Sequence, residues 1–298
     1  MSSFWSWYII AISLGVITAS GVLLYFVHSA DTDDTPEGEL MPHAFDGIQE
    51  LNNPLPKWWK LMFWISILYA LGYLVLYPGL GNNPGLLGWS STGQWQTEME
   101  KAKKTYGPLY KKMAETPITE LANDPKAIQM GQRLFVNNCA ACHGSSARGA
   151  AGYPNLTDND WLYGSKPETI KQSIMYGRSG MMPPMGAALG GEVGTSQVAS
   201  YVRSLNGYDV DKVAAAEGEK KFKMFCFACH GMDAKGNQML GAPNLTDGIW
   251  LYGGSQKIIE KTITEGRRGK MPAHKELLGE EKVHILASYI YSLSKDVK

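Results

Sequence analysis

The sequence predicts an all-α chain in two parts: a pair of N-terminal transmembrane helices, then a tandem duplication of one helical domain. Three observations predict it. A five-residue C-x-x-C-H string occurs twice, as Cys139-Ala140-Ala141-Cys142-His143 and Cys226-Phe227-Ala228-Cys229-His230. The same further blocks follow each string in the same order. The first 80 residues hold two long apolar runs, and few alternating β-type runs occur anywhere. The expected boundaries are a membrane anchor over 1–80, a linker over 81–122, and repeated domains over 123–207 and 208–298.

The first apolar run, Phe4 to Val27, has 24 positions without a charged residue. At 1.5 Å per residue that is about 36 Å of helix, enough to cross a bilayer. Trp5, Trp7 and Tyr8 lie at its start, as interfacial aromatics do. Met1-Ser2-Ser3 carries no Lys or Arg, so the run is expected to be retained and not cleaved as a signal peptide. A second helix is expected over about 58–80. Its apolar run from Leu61 to Tyr77 is led in by Trp58 and Trp59. Lys57 and Lys60 are the only basic residues near the membrane ends, which places the loop between the spans inside the cell. That loop also carries Asp31, Asp33, Asp34, Glu37 and Glu39, which contribute little to orientation. The N-terminus and the repeats then lie outside.

Pro78 to Gly93 is rich in Gly, Asn, Pro and Ser and reads as a surface crossing. A polar helical connector is expected from Thr97 to about Ala114. In the first repeat, Asp124 and Pro125 read as N-cap and first helical residue of a helix running to Cys139. Ser165-Lys166-Pro167-Glu168 fits a capping box ahead of a helix through Ile174. Ser255 opens the matched helix, with Ile258, Ile259 and Ile263 as its apolar positions. The last helix of each copy has one apolar face, Val198, Val202, Leu205 and Leu286, Ile290, Leu293. Each face is expected to pack on the first helix of its own domain.

C-x-x-C-H is the attachment signature of a c-type haem. Two thiols form thioethers to the vinyl groups, and the adjacent His reaches the iron. Cys139, Cys142, Cys226 and Cys229 are all the cysteines of the chain, so none is left for a disulfide or zinc site. A Cys-Cys-His-Met set would be odd for zinc. Each string is followed by Pro-Asn-Leu-Thr-Asp (154–158, 243–247), Trp-Leu-Tyr-Gly (161–164, 250–253), Gly-Arg and Met-Pro. The copies are offset by 87 residues at the cysteines and 89 from the Pro-Asn block on, so copy two has two extra residues after its His.

The alignment supplies the sixth ligands. Met182 follows His143 by 39 residues, and Met271 follows His230 by 41. A Met opposite His raises the potential and fills the open iron position. Met185 and His274 are nearby rivals. The matched Met favours Met182 and Met271 and leaves His274 as a surface residue. His284 reads as an ordinary packed or exposed helix residue. His28 and His43 have no matched partner. Arg178 and Arg267 read either as propionate partners or as solvated turn residues. Trp161 and Trp250 read first as core. The formal charge of zero excludes a general polyanion binder, so no nucleic-acid partner is expected.

These residues together resemble the dihaem subunit of cbb3-type cytochrome c oxidases. His43-Ala44-Phe45-Asp46-Gly47-Ile48 with Glu50 to Pro56 looks like that family's segment before its membrane helix, and Gly88-Trp89-Ser90-Ser91 like the segment after it. The first helix resembles the family's two-span variety. The resemblance implies two covalent haems c in a bacterial inner-membrane subunit with periplasmic haem domains. Electrons would enter from a donor cytochrome c. They would pass to a monohaem cytochrome c subunit and then to the catalytic haem–copper subunit that reduces oxygen. The subunit itself would have no catalytic residues. Other readings are a dihaem peroxidase, which needs one open iron, a redox or gas sensor, which needs an output module, and a dihaem anchor of another respiratory complex.

Overall fold

The computed structural model describes residues 1–29 and 35–295. Asp31, Asp33 and Asp34 of the expected inner loop lie outside the described residues. The chain divides into two compact units, Met1–Thr105 and Tyr106–Lys298.

The first unit begins with α1 (Ser3–Ser29). Strands β1 (Leu40–Phe45) and β2 (Ile48–Leu51) follow as an antiparallel hairpin. Its two-residue loop is Asp46-Gly47, both at positive φ (51° and 83°), the geometry that matches the twist of paired strands. The sequence reading had no hairpin here, although Asp-Gly between apolar residues is its signal.

Helix α2 is Lys57–Leu76. It ends about four residues earlier than expected. Pro78 forces Tyr77 into extended backbone (φ −115°, ψ 159°) and stops the helix. Both α1 and α2 are long and apolar enough to cross a membrane, and almost none of their surface is buried within the chain. The loop after α2 returns to the start of α1. There the Asn82 N–H donates to Ser6 Oγ (2.9 Å) and Asn82 Nδ2 donates to the Met1 carbonyl (3.1 Å). The beginning of the first span and the end of the second therefore sit at one end of the pair.

Helix α3 (Ser91–Glu115) starts six residues before the expected connector and carries Pro108 within it. The second unit continues with α4 (Ile118–Leu121), α5 (Pro125–Asn138), α6 (Ala140–His143) and α7 (Pro167–Tyr176). Strand β3 (Arg178–Met182) and α8 (Glu192–Ser204) complete the first repeat. The second repeat supplies α9 (Lys212–Phe225), α10 (Phe227–His230), α11 (Gln256–Glu265), β4 (Arg267–Met271) and α12 (Lys275–Lys295), the last broken at Gly279.

Asp124 caps α5 as expected, accepting from the Lys126 N–H at 2.8 Å. Ser255 caps α11. The capping box at 165–168 does not form: Lys166 is the cap, Pro167 opens α7, and no side chain bonds the first turn.

The largest departure concerns helix packing. The last helix of each repeat does not pack on the first helix of its own repeat. Helix α12 packs on α5 and α7, and α8 packs on α9 and α11. The crossings are tight. A Cβ on Gly131 of α5 would collide with Tyr289 Cβ of α12, and one on Gly218 of α9 with the Gln197 carbonyl of α8. Two cores result. One joins Phe135, Cys139, Ile170 and Ile174 to Val283, Leu286 and Ile290. The other joins Leu189, Val198 and Val202 to Phe222, Ile259 and Ile263. The physical reason is the duplication itself: the two last helices present equivalent faces, so each can complete the other copy's core.

Candidate haem sites

Each C-x-x-C-H string forms a single turn at the end of a long helix. The Cys139 N–H closes onto Phe135 O (2.7 Å) and the His143 N–H onto Cys139 O (2.9 Å). At the second site the Cys226 N–H closes onto Phe222 O (2.8 Å) and the His230 N–H onto Cys226 O (3.0 Å). Gly144 and Gly231, at φ of 75° and 78°, end these turns in a conformation that a β-carbon would strain. The loop then doubles back. Gly149 N–H donates to His143 O and Gly236 N–H to His230 O, both at 2.8 Å.

The two histidines are aimed alike. His143 Nδ1 lies 3.0 Å from the Pro154 carbonyl, and His230 Nδ1 lies 3.2 Å from that of Pro243. A carbonyl only accepts, so Nδ1 carries the proton and Nε2 keeps a lone pair free for a metal. Burial lowers the His230 pKa, opposed by the Pro243 contact, and so favours the neutral, ligating form. These carbonyls were not singled out in the sequence, although Pro heads the repeated Pro-Asn-Leu-Thr-Asp block.

The methionines are delivered across the repeats. Strands β3 and β4 form an antiparallel ribbon with Arg178 opposite Met271, Gly180 opposite Gly269 and Met182 opposite Arg267. Gly180 and Gly269 are themselves equivalent positions, so the ribbon has a local two-fold at its centre. Its flanks are pinned the same way. Met185 N–H donates to Ile263 O (2.8 Å) and His274 N–H to Ile174 O (3.0 Å). Met271 consequently packs against the core that holds Cys139, and Met182 against the core bordered by Cys226. The expected grouping of His143 with Met182 and of His230 with Met271 is not what the fold brings together. Met185 also borders the second core. His274 is half-buried, not a surface residue, and its Nδ1 has no partner among the described residues. His284 is packed, with Nε2 2.8 Å from the Thr116 carbonyl. His43 stacks edge-on against Phe45.

The residues fit a covalent haem on three counts. All four cysteines are free, and burial pushes the thiols of Cys139 and Cys226 up to about 11. Each His keeps Nε2 available, and a partly buried Met packs on the core that its attachment turn adjoins. The buried indole N–H groups of Trp161 and Trp250, one against each core, have no acceptor among the described residues, as donors awaiting a carboxylate would. Arg178 and Arg267 are held by their own repeats. Arg178 Nε donates to Ser173 Oγ (2.9 Å) and Arg267 Nη2 to Thr262 Oγ1 (2.7 Å), and each guanidinium stacks on a tyrosine, Tyr163 or Tyr252.

Family-model matches cover the segment around the second span and both repeats. Residues 37–84 match the family model for the N-terminal domain of cytochrome oxidase-cbb3, FixP. Residues 126–202 and 213–290 each match the model for cytochrome c oxidase, cbb3-type, subunit III. The chain is 46% identical over 297 residues to the cbb3-type cytochrome c oxidase subunit CcoP of Rubrivivax gelatinosus, covering 99% of this chain and 96% of that one. It is 43% identical to the FixP subunit of Bradyrhizobium sp. (strain ORS 278), covering 84% and 93%. It is 38% identical to the CcoP subunit of Cereibacter sphaeroides, also covering 84% and 93%. With both repeats and the segment around the second span matched, and with relatives this similar along nearly their whole length, the chain belongs to the subunit III family of cbb3-type cytochrome c oxidases.

Proposed function

We propose that this chain carries electrons one at a time through two covalently bound haems c inside a cbb3-type oxidase. Cys139, Cys142 and His143 would hold one haem and Cys226, Cys229 and His230 the other. Met271 would help hold the first haem through its thioether and Met182 the second. When bound, each haem supplies a reversible one-electron iron couple. The protein holds each imidazole through a proline carbonyl and leaves Nε2 unprotonated; apolar side chains would surround the haem, and Trp161 and Trp250 would offer their N–H groups to its carboxylates.

The observation that supports this reading is that a partly buried methionine of the other repeat packs on the core beside each C-x-x-C-H turn. A His–Met pair leaves no position for substrate, which suits a relay and not a peroxidase.

The anchor fits the same role. The two apolar helices fit a membrane protein, and the Ser6–Asn82 contact supports the start of the first span and the end of the second on the same side. Covalent haem attachment is completed outside the cytoplasm in bacteria. The unit would therefore be periplasmic, and the 28–56 loop cytoplasmic. The electron donor would be a cytochrome c. The acceptors would be a monohaem cytochrome c subunit and then the catalytic haem–copper subunit.

The test is purification from native membranes. The chain should leave membranes only with detergent, co-purify with the other oxidase subunits, and keep two haems per chain through denaturing electrophoresis. Reduced cytochrome c should be oxidised through it. Release by salt alone, absence of covalent haem, or normal electron delivery to an oxidase lacking this chain would overturn the reading.

A further inference from the structure

The two attachment turns share a backbone and differ in what surrounds them. Copy one flanks its cysteines with Asn137, Asn138, Ala140 and Ser145. At the equivalent positions copy two has Met224, Phe225, Phe227 and Met232, which are 67%, 40%, 44% and 58% exposed. The two extra residues of copy two fall in the loop that returns to His230. That loop carries Met239 and Leu240, 93% and 55% exposed. Haem retention does not explain these six side chains, because the first site makes the same backbone bonds without them.

Taking about 200 Å² per large side chain, the six together expose on the order of 700 Å² of apolar surface. That is above the roughly 300–600 Å² a monomer usually shows and close to the ~800 Å² each partner buries in a stable interface. Methionine and aromatic residues are the types enriched at the centre of such interfaces. From Met224 to Met232 there is no Lys, Arg, Asp or Glu, and the flanking exposed Lys223, Asp233 and Lys235 are of mixed sign, so the surface offers no single-sign field to steer a short-lived encounter.

We propose that the apolar collar around Cys226 and Cys229 is the seat of a permanently assembled subunit of the same oxidase, presenting an uncharged apolar face. This rests on the relay reading above. The haem edge at the second attachment turn is then the exit side of the relay. The polar collar around Cys139 and Cys142 is left to the soluble donor.

The experiment is photocross-linking in the detergent-purified, haem-loaded oxidase, with p-benzoylphenylalanine at Met239 and, separately, at Met232. The reference site is Ala151, in the corresponding loop of copy one. The expected result is an adduct between this chain and a different oxidase subunit from Met239 and Met232, formed without added cytochrome c and absent from Ala151. The proposal is overturned if the intact complex gives no polypeptide adduct at either methionine. It is also overturned if the adduct joins two copies of this chain, or forms only when reduced soluble cytochrome c is added. A chain that fails to co-purify with oxidase subunits, or carries no covalent haem, would overturn the relay reading itself, and is scored before irradiation.

Discussion

Around Cys139 and around Cys226 the backbone makes the same bonds at nearly the same lengths, from the helix end through the histidine to the proline carbonyl. Phe135 and Phe222 are both fully buried behind these turns. Yet the surfaces are asparagine and serine at one site, methionine and phenylalanine at the other. The difference teaches which residues answer to which demand. Residues that shape the cradle are the same in both copies because each must hold the same group. Residues that face outward differ because what each copy meets differs. A third class is shared but acts across the copies: the ribbon, its methionines and the two crossing glycines.

That third class gives the largest expected effect. In a chain whose second attachment is removed by Cys226→Ser and Cys229→Ser, only the first haem remains. There Met271→Ala should abolish its low-spin spectrum and lower its potential, while Met182→Ala should leave both nearly unchanged. The reciprocal background, Cys139→Ser with Cys142→Ser, should show the opposite sensitivity. Optical and electron-paramagnetic spectra with a redox titration read the outcome. If Met182 instead controls the first haem, each copy ligates its own iron and the crossed arrangement fails.

Nothing local could have announced that exchange. The spacing from His143 to Met182 suits ligation within a copy, and the apolar faces of α8 and α12 are similar enough for either pairing. The local features were legible: Asp124 and Ser255 as caps, the two spans, the matched methionines, the C-x-x-C-H turns. What failed had a specific physical cause. The second span is shorter than its apolar run suggests because Pro78 holds Tyr77 in extended backbone and ends the helix at Leu76. The β3–β4 ribbon was invisible because Arg-Ser-Gly-Met-Met has no alternating pattern, and its strands pair across the two repeats, far apart in sequence. The partner of a duplicated element is a long-range property, and periodicity carries no information about it.

A smaller effect tests the same exchange through packing. Gly131→Ala and Gly218→Ala should each destabilise the haem-binding unit by about 1–3 kcal/mol, because neither crossing has room for a methyl group. Gly218 should be the worse, since a methyl there meets the Gln197 carbonyl first, whereas at Gly131 it meets the Tyr289 side chain first and the Ile285 carbonyl only further off. Thermal unfolding followed by the Soret band measures this. A double-mutant cycle sharpens it. Gly131→Ala should couple with Tyr289→Ala by about 0.5 kcal/mol or more and be additive with Tyr201→Ala. The reverse pattern would return α8 to α5.

The smallest effect comes from one unmatched residue where the copies meet. Asp160 lines a cavity of about 390 Å³ together with Asp247 and Lys235, and copy two has Ile249 where copy one has Asp160. Burial, then Asp247 and Asp158, raise the Asp160 pKa from 3.8 to about 6. The folded state therefore holds this proton more tightly than the unfolded chain does. Its contribution to stability is fully present below pH ~4 and lost as pH rises through about 6. Asp160→Asn should leave stability unchanged near pH 4 and raise it at pH 7.5. Because the carboxyl is partly solvated, the gain should be about 1 kcal/mol, well under the full value of the shift, or about 2–4 °C in Tm. Melting curves at the two pH values decide it. An equal gain at both would mean that the carboxylate charge is not what sets the two copies apart here.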